Sequence, residues 1–375
     1  MKTTKMMKLN LIKQDWINKF NKPLIISGPC SAESKDQVLE IAKKLKKINN
    51  IKIFRAGIWK PRTRPNSFEG IGEIGLKWLK EVKKETGLLI ATEIANATHV
   101  KLAIKHEVDI LWIGARSTVN PFTVQEIAEA LKDTNKIILV KNPINPDIEL
   151  WIGALERLLN QGITKLGIIH RGFSTYKSLI YRNPPNWDLA LKFKKLFPNI
   201  PILCDPSHIC GNKERLLEVM IQAINFNYDG FIIETHCNPD DAFSDSQQQI
   251  QPSILGDYIK KLNNHSLRLK ETQDKDKDKD KEKSQFELDQ VRNLIKELDH
   301  NIIYLLSKRV NYSEQIALIK KNSNLVILQQ KKWKTLIEEY KKMGTQFGLA
   351  TKFLEELFKV IHKESRKIQK KIINL

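Results

Sequence analysis

The stretch DGFIIETH, Asp229–His236, is a short apolar run, Phe231-Ile232-Ile233, that gives way at once to Glu234, Thr235 and His236. A run of this length reads as a strand buried on both faces, which is the form that parallel sheets require. Working outward, the same form recurs as PLIISGPC (23–30), IKIFRAG (51–57), LLIATE (88–93), DILWIGAR (109–116), KIILVKN (136–142), KLGIIHRG (165–172) and PILCDPSH (201–208). Longer amphipathic stretches separate these runs from Pro23 to about Lys261, the pattern of repeated βα units. About eight such units is the number that closes a parallel TIM (β/α)8 barrel. An open doubly wound sheet is the competing arrangement, but no G-x-G-x-x-G follows the first run, as a dinucleotide fold requires.

Almost every run ends in a residue that can do chemistry: Cys30, Arg55, Glu93, Arg116, Lys141, Arg171, Asp205 with His208, and Glu234. Polar residues that merely begin a loop account for any one of them. Their recurrence at the same edge predicts a site at the C-terminal mouth of a barrel, where such enzymes gather their catalytic groups. IWKPRTRPNSFEG (58–70) adds Lys60, Arg62 and Arg64 with the backbone fixed between them by Pro61 and Pro65. Proline locks φ and biases the preceding residue to extended backbone, so these cations are held in set directions. A rigid cationic cluster suits a phosphate, whether of a nucleic acid or of a small metabolite.

The chain has 375 residues, 41% of them apolar, and a formal charge of +20. That length favours two or three domains with substantial cores. The positive excess is mainly lysine dispersed along the chain, with no stripe of aromatics interleaved with Lys and Arg, so no nucleic-acid partner is expected. Cys30, Cys204, Cys210 and Cys237 form no C-x-x-C pair and no regular framework, as in a reducing compartment. The N-terminal MKTTKMMKLNLIKQDW lacks the apolar core of a signal peptide, and no segment is long enough to span a bilayer. A cytoplasmic protein without a membrane partner is expected.

Cys30, His208, Glu234 and Asp245 combine sulfur, nitrogen and oxygen donors at or just past strand ends. Such a set suits one divalent ion of borderline character (Mn, Fe, Co or Zn) better than Mg, which prefers oxygen alone. No local spacing announces the site; only a closed barrel gathers it. Arg55, Lys60, Arg62, Arg116, Lys141 and Arg171 converge on the same mouth. So many like charges imply more than one anionic group to neutralise them.

Beyond Lys261 the composition changes. HSLRLKETQDKDKDKDKEKS (265–284) has little to bury and reads as a mobile linker or a weakly helical spacer. From Phe286 onward, Leu288, Val291, Ile295, Leu298, Ile302 and Leu305 follow a helical 3,4 spacing, and no Gly or Pro intervenes before Gly344. The expected organisation is a barrel over 1–262, a charged linker over 263–284 and an all-α domain over 285–375. Arg309 falls where the apolar stripe calls for a hydrophobic residue, and Lys320 shares its face about three turns on, whereas Arg292 projects elsewhere. Two inward cations point to an anionic ligand or to snorkelling at a helix seam. One helix from about Phe286 to Lys321 would span on the order of 50 Å, which calls for a dimer to cover it.

GPCSAES, FRAGIWKPRTRPNSF, DILWIGAR, VKNP, HRGF, CDPSH, IIETH and FSDSQQQ resemble, in order, the motifs of the 3-deoxy-D-arabino-heptulosonate 7-phosphate (DAHP) synthase family, across nearly all of residues 23–262. The resemblance implies a (β/α)8 barrel that condenses phosphoenolpyruvate with erythrose 4-phosphate, using a divalent metal. It assigns Cys30, His208, Glu234 and Asp245 as metal ligands. Arg55, Lys60, Arg116, Lys141 and Arg171 would form the phosphoenolpyruvate cage, with Glu93 and Asp205 beside it. Pro61, Arg62 and Thr63 of KPRT would meet the erythrose phosphate, and Lys60 the reacting centre. A sister family that makes 3-deoxy-D-manno-octulosonate 8-phosphate carries a K-A-N-R-S type stretch there, so KPRT points to erythrose 4-phosphate. The implied chemistry is Lewis-acid polarisation of the aldehyde, attack by C3 of phosphoenolpyruvate, and water addition at C2 before phosphate leaves.

LDQVRNLIKELDHNIIYLLSKRVNYSEQIALIK (288–320) resembles the long first helix of the all-helical, intertwined chorismate mutase family, with Gln369 matching a glutamine on the last helix. The resemblance assigns Arg292, Arg309 and Lys320 to the carboxylates and ether oxygen of chorismate, Arg292 crossing to the pocket of the other subunit. It implies a homodimer or higher homo-oligomer built through the helical domain. The chain departs from the family pattern at Gln329, Lys332 and Trp333. Lys332 preserves a charge, Trp333 replaces a glutamate, and Gln329 is the candidate to take over its contact. A helical domain that only senses prephenate or chorismate is the alternative.

Overall fold

A computed structural model describes residues 9, 12–61, 67–175, 180–274 and 279–374. Eight parallel strands, β1 Leu24–Gly28, β2 Ile51–Arg55, β3 Leu89–Ile94, β4 Ile110–Ile113, β5 Ile137–Lys141, β6 Leu166–His170, β7 Ile202–Cys204 and β8 Gly230–Glu234, close into one barrel in chain order. All neighbours are parallel, and β1 returns to β8 with Gly28 opposite Glu234. The open doubly wound alternative is excluded by that closure.

The helices that follow the strands start and stop on local chemistry. α1 (Lys35–Lys46) begins where the Ser34 hydroxyl accepts the Gln37 N–H, and α2 (Glu73–Thr86) ends on Gly87 in the left-handed conformation. Asn96 caps α3 (Ala97–Lys105). After the short α4 (Ala115–Thr118), Asn120 with Pro121 opens α5 (Pro121–Ala130), and Asp147 caps α6 (Ile148–Asn160). α7 (Trp187–Leu196) follows β6, and the short α8 (Pro206–Cys210) and α9 (Leu216–Asn225) follow β7.

Inside the barrel, Ile26, Ile53, Ala91, Ile110, Trp112, Leu139, Ile169, Leu203 and Ile232 pack as one core. The end opposite the mouth is sealed by the turn Asp15–Lys19, whose Trp16 and Ile17 join that core. Trp16 donates its indole N–H to the Leu166 carbonyl at 3.0 Å, and the Gln14 amide donates to the Thr164 carbonyl at 3.0 Å. Gln14, Trp16 and Ile17 thus belong to the packing of the barrel.

After β8, α10 (Pro252–Asp274) packs between α9 and α1 through Leu255, Ile259 and Leu262, closes the ring, and runs on through residue 262 into the Lys- and Asp-rich stretch. α11 (Lys279–Asn322), α12 (Gln330–Gln346) and α13 (Thr351–Ile373) account for most of the rest. The charged stretch is therefore helical wherever it is described, as a spacer of that composition can be. The chain divides into two compact units, Met1–Arg292 and Asn293–Leu375. Among the described residues no helix is long and apolar enough to cross a membrane.

Gly28 is the tightest point of the barrel wall. A Cβ there would lie 1.9 Å from the Arg55 carbonyl oxygen, and its φ of 156° disfavours a side chain as well. Gly28→Ala is expected to cost about 2 kcal/mol or more through overpacking and backbone strain. A lower urea midpoint of tryptophan fluorescence checks it.

Candidate active site

The strand ends meet at one rim, and the sequence-predicted groups there make direct contacts. Cys30, just past β1, is fully buried. Its Sγ lies 3.3 Å from Asp245 Oδ2, and it accepts from Lys60 Nζ at 2.9 Å. Lys60 also donates to the Cys30 carbonyl, which Arg55 Nη2 reaches at 3.1 Å. The Cys30 N–H is fixed by Gln249 Oε1 at 2.9 Å. Ligand atoms of Cys30, Glu234 and Asp245 all lie within 4.8 Å of one another. His208, the fourth predicted ligand, stands outside that tight group, with its Nε2 3.9 Å from Glu234 Oε1.

Cations and carboxylates alternate around this group. Arg55, 2% exposed, faces Glu234 across 3.2 Å, and its guanidinium lies 4.9 Å from the Trp112 ring centre. The Arg55–Glu234 contact is not aligned as a hydrogen bond. Arg55 Nε and Nη1 and Glu234 Oε1 are buried with no hydrogen-bond partner among the described residues. Lys141, at the end of β5, meets Asp205 at 2.9 Å, and Asp205 also accepts from the His208 backbone and imidazole. Burial by itself would raise the Asp205 carboxyl, but the His208 and Lys141 charges hold it well below its ordinary value. Burial pushes the Cys30 thiol up to about 12, with Glu234 adding to the effect and Lys60 opposing it.

The remaining predicted groups line the rim. Glu93 Oε2 accepts from the Trp112 indole at 2.8 Å, while Arg116 is exposed on α4. Arg171 is oriented at both ends, its N–H on Asn142 Oδ1 at 2.7 Å and its Nη1 on Asn183 Oδ1 at 2.8 Å. Burial draws its guanidinium down to about 10, so it stays charged at neutral pH. Pro61 is exposed next to Lys60, whose N–H bonds the Glu69 carbonyl at 2.8 Å. Arg62 and Thr63, expected at the sugar phosphate, lie outside the described residues.

Sequence reasoning gave no role to Trp112, Asn142, Arg182, Asn183, Gln248 or Gln249, all of which touch predicted residues. Gln248 and Gln249 stand in FSDSQQQ beside Asp245, a signal that was legible there. Arg182 and Asn183 carry none, because they lie more than ten residues past the end of β6, in the loop that leads to α7.

In the second unit, Arg309 and Lys320 of α11 both turn toward α13. Arg309 Nη1 donates to the Ser365 hydroxyl, and Lys320 Nζ to Gln369 Oε1 at 3.1 Å. Burial lowers the Lys320 ammonium, and the charge of Lys332 on α12 adds to the effect. Gln329 stands at the N-terminus of α12, with no side-chain cap. Trp333 stacks on His362 with ring centres 3.9 Å apart. Arg292 is exposed on α11, and so are Ile295, Leu298, Ile302 and Leu305, which leaves the apolar stripe uncovered.

Residues 10–271 match the DAHP synthetase I family and residues 291–370 match chorismate mutase type II. Among curated proteins, a phospho-2-dehydro-3-deoxyheptonate aldolase of Thermotoga maritima is 32% identical over 238 residues, 64% of this chain and 68% of that protein. A 2-dehydro-3-deoxyphosphooctonate aldolase of Campylobacter jejuni is 28% identical, over 67% of this chain and 99% of its own length. The crystal structure of a phospho-2-dehydro-3-deoxyheptonate aldolase (DAHP synthase) from Thermotoga maritima superposes with a TM-score of 0.61 at 28% identity, covering 69% of this chain and 77% of that one.

The Lys141–Asp205 pair gives a pH-dependent test. A carboxyl depressed in the folded state stabilises fully above its ordinary value of 3.8, and that contribution is lost as pH falls toward the depressed one. Lys141→Met leaves Asp205 buried without its ammonium and is expected to cost about 3–5 kcal/mol at pH 7. The gap from wild type should narrow below about pH 4, where the variant's Asp205 takes up a proton. Urea unfolding at the two pH values measures it.

Proposed function

The chain belongs to the DAHP synthetase I family, with a chorismate mutase domain fused behind the barrel, and we propose from this premise how its residues divide two reactions. The barrel condenses phosphoenolpyruvate with erythrose 4-phosphate to DAHP and phosphate, the first step of the shikimate pathway. The helical unit rearranges chorismate to prephenate. The observation that carries the first assignment is that Arg55 and Lys60 meet Glu234 and Cys30 of the clustered ligand atoms, with the Lys141–Asp205 pair bonded to His208 beside them.

The residues fit a divalent metal. Glu234 presents a buried oxygen with no hydrogen bond, and the donors are a thiol, two carboxylates and the nearby His208 imidazole. Cys30, His208, Glu234 and Asp245 would hold it, and Mn, Fe, Co or Zn suits that set. When bound, such an ion supplies Lewis-acid polarisation of the aldehyde oxygen.

The chain's own side chains do the rest by charge and position. Arg55 offers Nε and Nη1 donors that are buried and unsatisfied, suited to an anion entering the mouth. Arg171, locked by Asn142 and Asn183, adds a second guanidinium of fixed direction. Lys141 and Arg116 complete the phosphoenolpyruvate contacts, with Glu93 and Asp205 orienting the cations beside them. Lys60, poised on Cys30, faces the reacting carbons, while Pro61, Arg62 and Thr63 take the erythrose phosphate. C3 of phosphoenolpyruvate then attacks the aldehyde and water adds at C2 before phosphate departs. The cationic cage offsets the mutual repulsion of the two anionic substrates.

In the helical unit, Arg309, Lys320 and Gln369 line one face and hold the carboxylates and ether oxygen of chorismate. Lys332 and Gln329 close the pocket, and Arg292 reaches from a second subunit. The rearrangement needs a compressed conformer and cations at the breaking bond, with no proton transfer. The uncovered stripe Ile295, Leu298, Ile302 and Leu305 packs against another copy, giving a homodimer or higher oligomer. Four free thiols accord with a cytoplasmic enzyme.

Mass spectrometry of a reaction containing phosphoenolpyruvate, erythrose 4-phosphate and added Mn²⁺ should detect DAHP. Cys30→Ala should lose metal-dependent turnover by 10²-fold or more, about 2.7 kcal/mol of barrier. Full DAHP synthesis by that variant after chelation would refute the ligand set. Arg309→Ala in the full chain should abolish chorismate consumption and leave DAHP formation intact. A wild-type protein that makes DAHP but consumes no chorismate would identify the helical unit as a sensor.

A further inference from the structure

Arg182 lies in the loop between β6 and α7 and belongs to none of the predicted sets. Its Nη1 donates to Asp245 Oδ1 at 2.9 Å and to Gln248 Oε1 at 2.8 Å. Gln248 passes the contact on, donating Nε2 to Glu234 Oε2 at 2.6 Å. The backbone beneath is tied to α8, which carries His208: the Arg182 N–H bonds the Cys210 carbonyl at 3.2 Å and the Asn183 N–H bonds Ile209 at 3.1 Å. The Asn183 amide closes the strap on the His208 carbonyl at 2.6 Å. Gly211 makes the approach possible, because a Cβ there would fall 2.4 Å from the Arg182 Cβ.

Arg182 and its immediate neighbours therefore reach the segments that bear three of the four proposed metal ligands. Asp245 has particular need of such a brace: its φ of 49° is a left-handed backbone conformation that an aspartate adopts at a cost. The contact is also divided usefully. Arg182 occupies Asp245 Oδ1, while Oδ2 is the oxygen turned to the Cys30 sulfur. Glu234 is divided in the same way, with Oε2 on Gln248 and Oε1 facing His208 and Arg55. In both carboxylates one oxygen is anchored and the other points to the shared centre.

We infer that Arg182 is a positioning residue for the metal centre, holding Asp245 directly and Glu234 through Gln248 so that each presents one oxygen to the ion. The inference rests on the metal reading given above. The opposing effect is repulsion between the guanidinium and a divalent ion. With 45% of its side chain exposed, Arg182 has much of that repulsion screened by solvent, so preorganisation dominates.

The test uses the full chain, stripped by chelation and titrated with Co²⁺, whose thiolate charge-transfer absorption reports both binding and geometry. Wild type should show the band and Cys30→Ala should lack it. Arg182→Met should weaken Co²⁺ binding about 10- to 100-fold and shift the spectrum, as loss of an outer-shell partner does. Arg182→Lys keeps the charge but on a shorter side chain without the planar, directed guanidinium, and should recover part of the loss. Combining Arg182→Met with Gln248→Leu should cost less than the sum of the two, because they act through one chain of contacts. Wild-type affinity and spectrum in both Arg182 variants, with the band absent from Cys30→Ala, would overturn the brace and leave the metal site standing. Absence of the band from wild type would overturn the metal reading and this inference together.

Discussion

Parallel pairing in a closed ring obliges every strand to deliver its C-terminal end to the same rim. The site depends on that constraint, because its groups are far apart in the chain: Cys30 and Asp245 are separated by more than two hundred residues yet lie 3.3 Å apart. Closure in turn depends on small residues at the tight points of the wall. Gly28 and Gly230 leave room for the backbones of β2 and β1 respectively, and larger side chains there would push neighbouring strands away.

Gathering so many ionisable groups in a dry mouth raises an electrostatic problem that the structure meets by pairing. Arg55 faces Glu234, Lys141 faces Asp205, and Lys60 rests on the Cys30 sulfur and carbonyl. Buried cations without such partners would cost several kcal/mol each. The pairing is incomplete on the side turned to the shared centre, where donors of Arg55 and an oxygen of Glu234 have no hydrogen-bond partner among the described residues. Those unsatisfied groups are the places where an anion or a metal ion would gain most, since they carry a desolvation penalty with no compensating contact.

The helical unit uses a different device for the same end. Its cations sit on one long helix and are set by partners on α13, Ser365 for Arg309 and Gln369 for Lys320. Trp333 on α12 turns its ring onto His362 of α13. That position thus supplies stacking between the two helices.

Much of this was legible in the chain. Eight apolar runs separated by amphipathic stretches determined the barrel, because a strand buried on both faces and a helix with one apolar stripe leave different periodicities. The residue at the end of each run identified most of the rim, and the 3,4 spacing with its interruption at Arg309 marked the helical unit. What only the tertiary structure decided was the linkage among these groups: which carboxylate each cation faces, how Gln248 and Gln249 bind Glu234 and Cys30, and that Arg182 braces Asp245. Trp16 plugging the barrel floor belongs to the same class. Such contacts join residues distant in the chain, and composition and period record which face a side chain occupies, not which side chain it meets there.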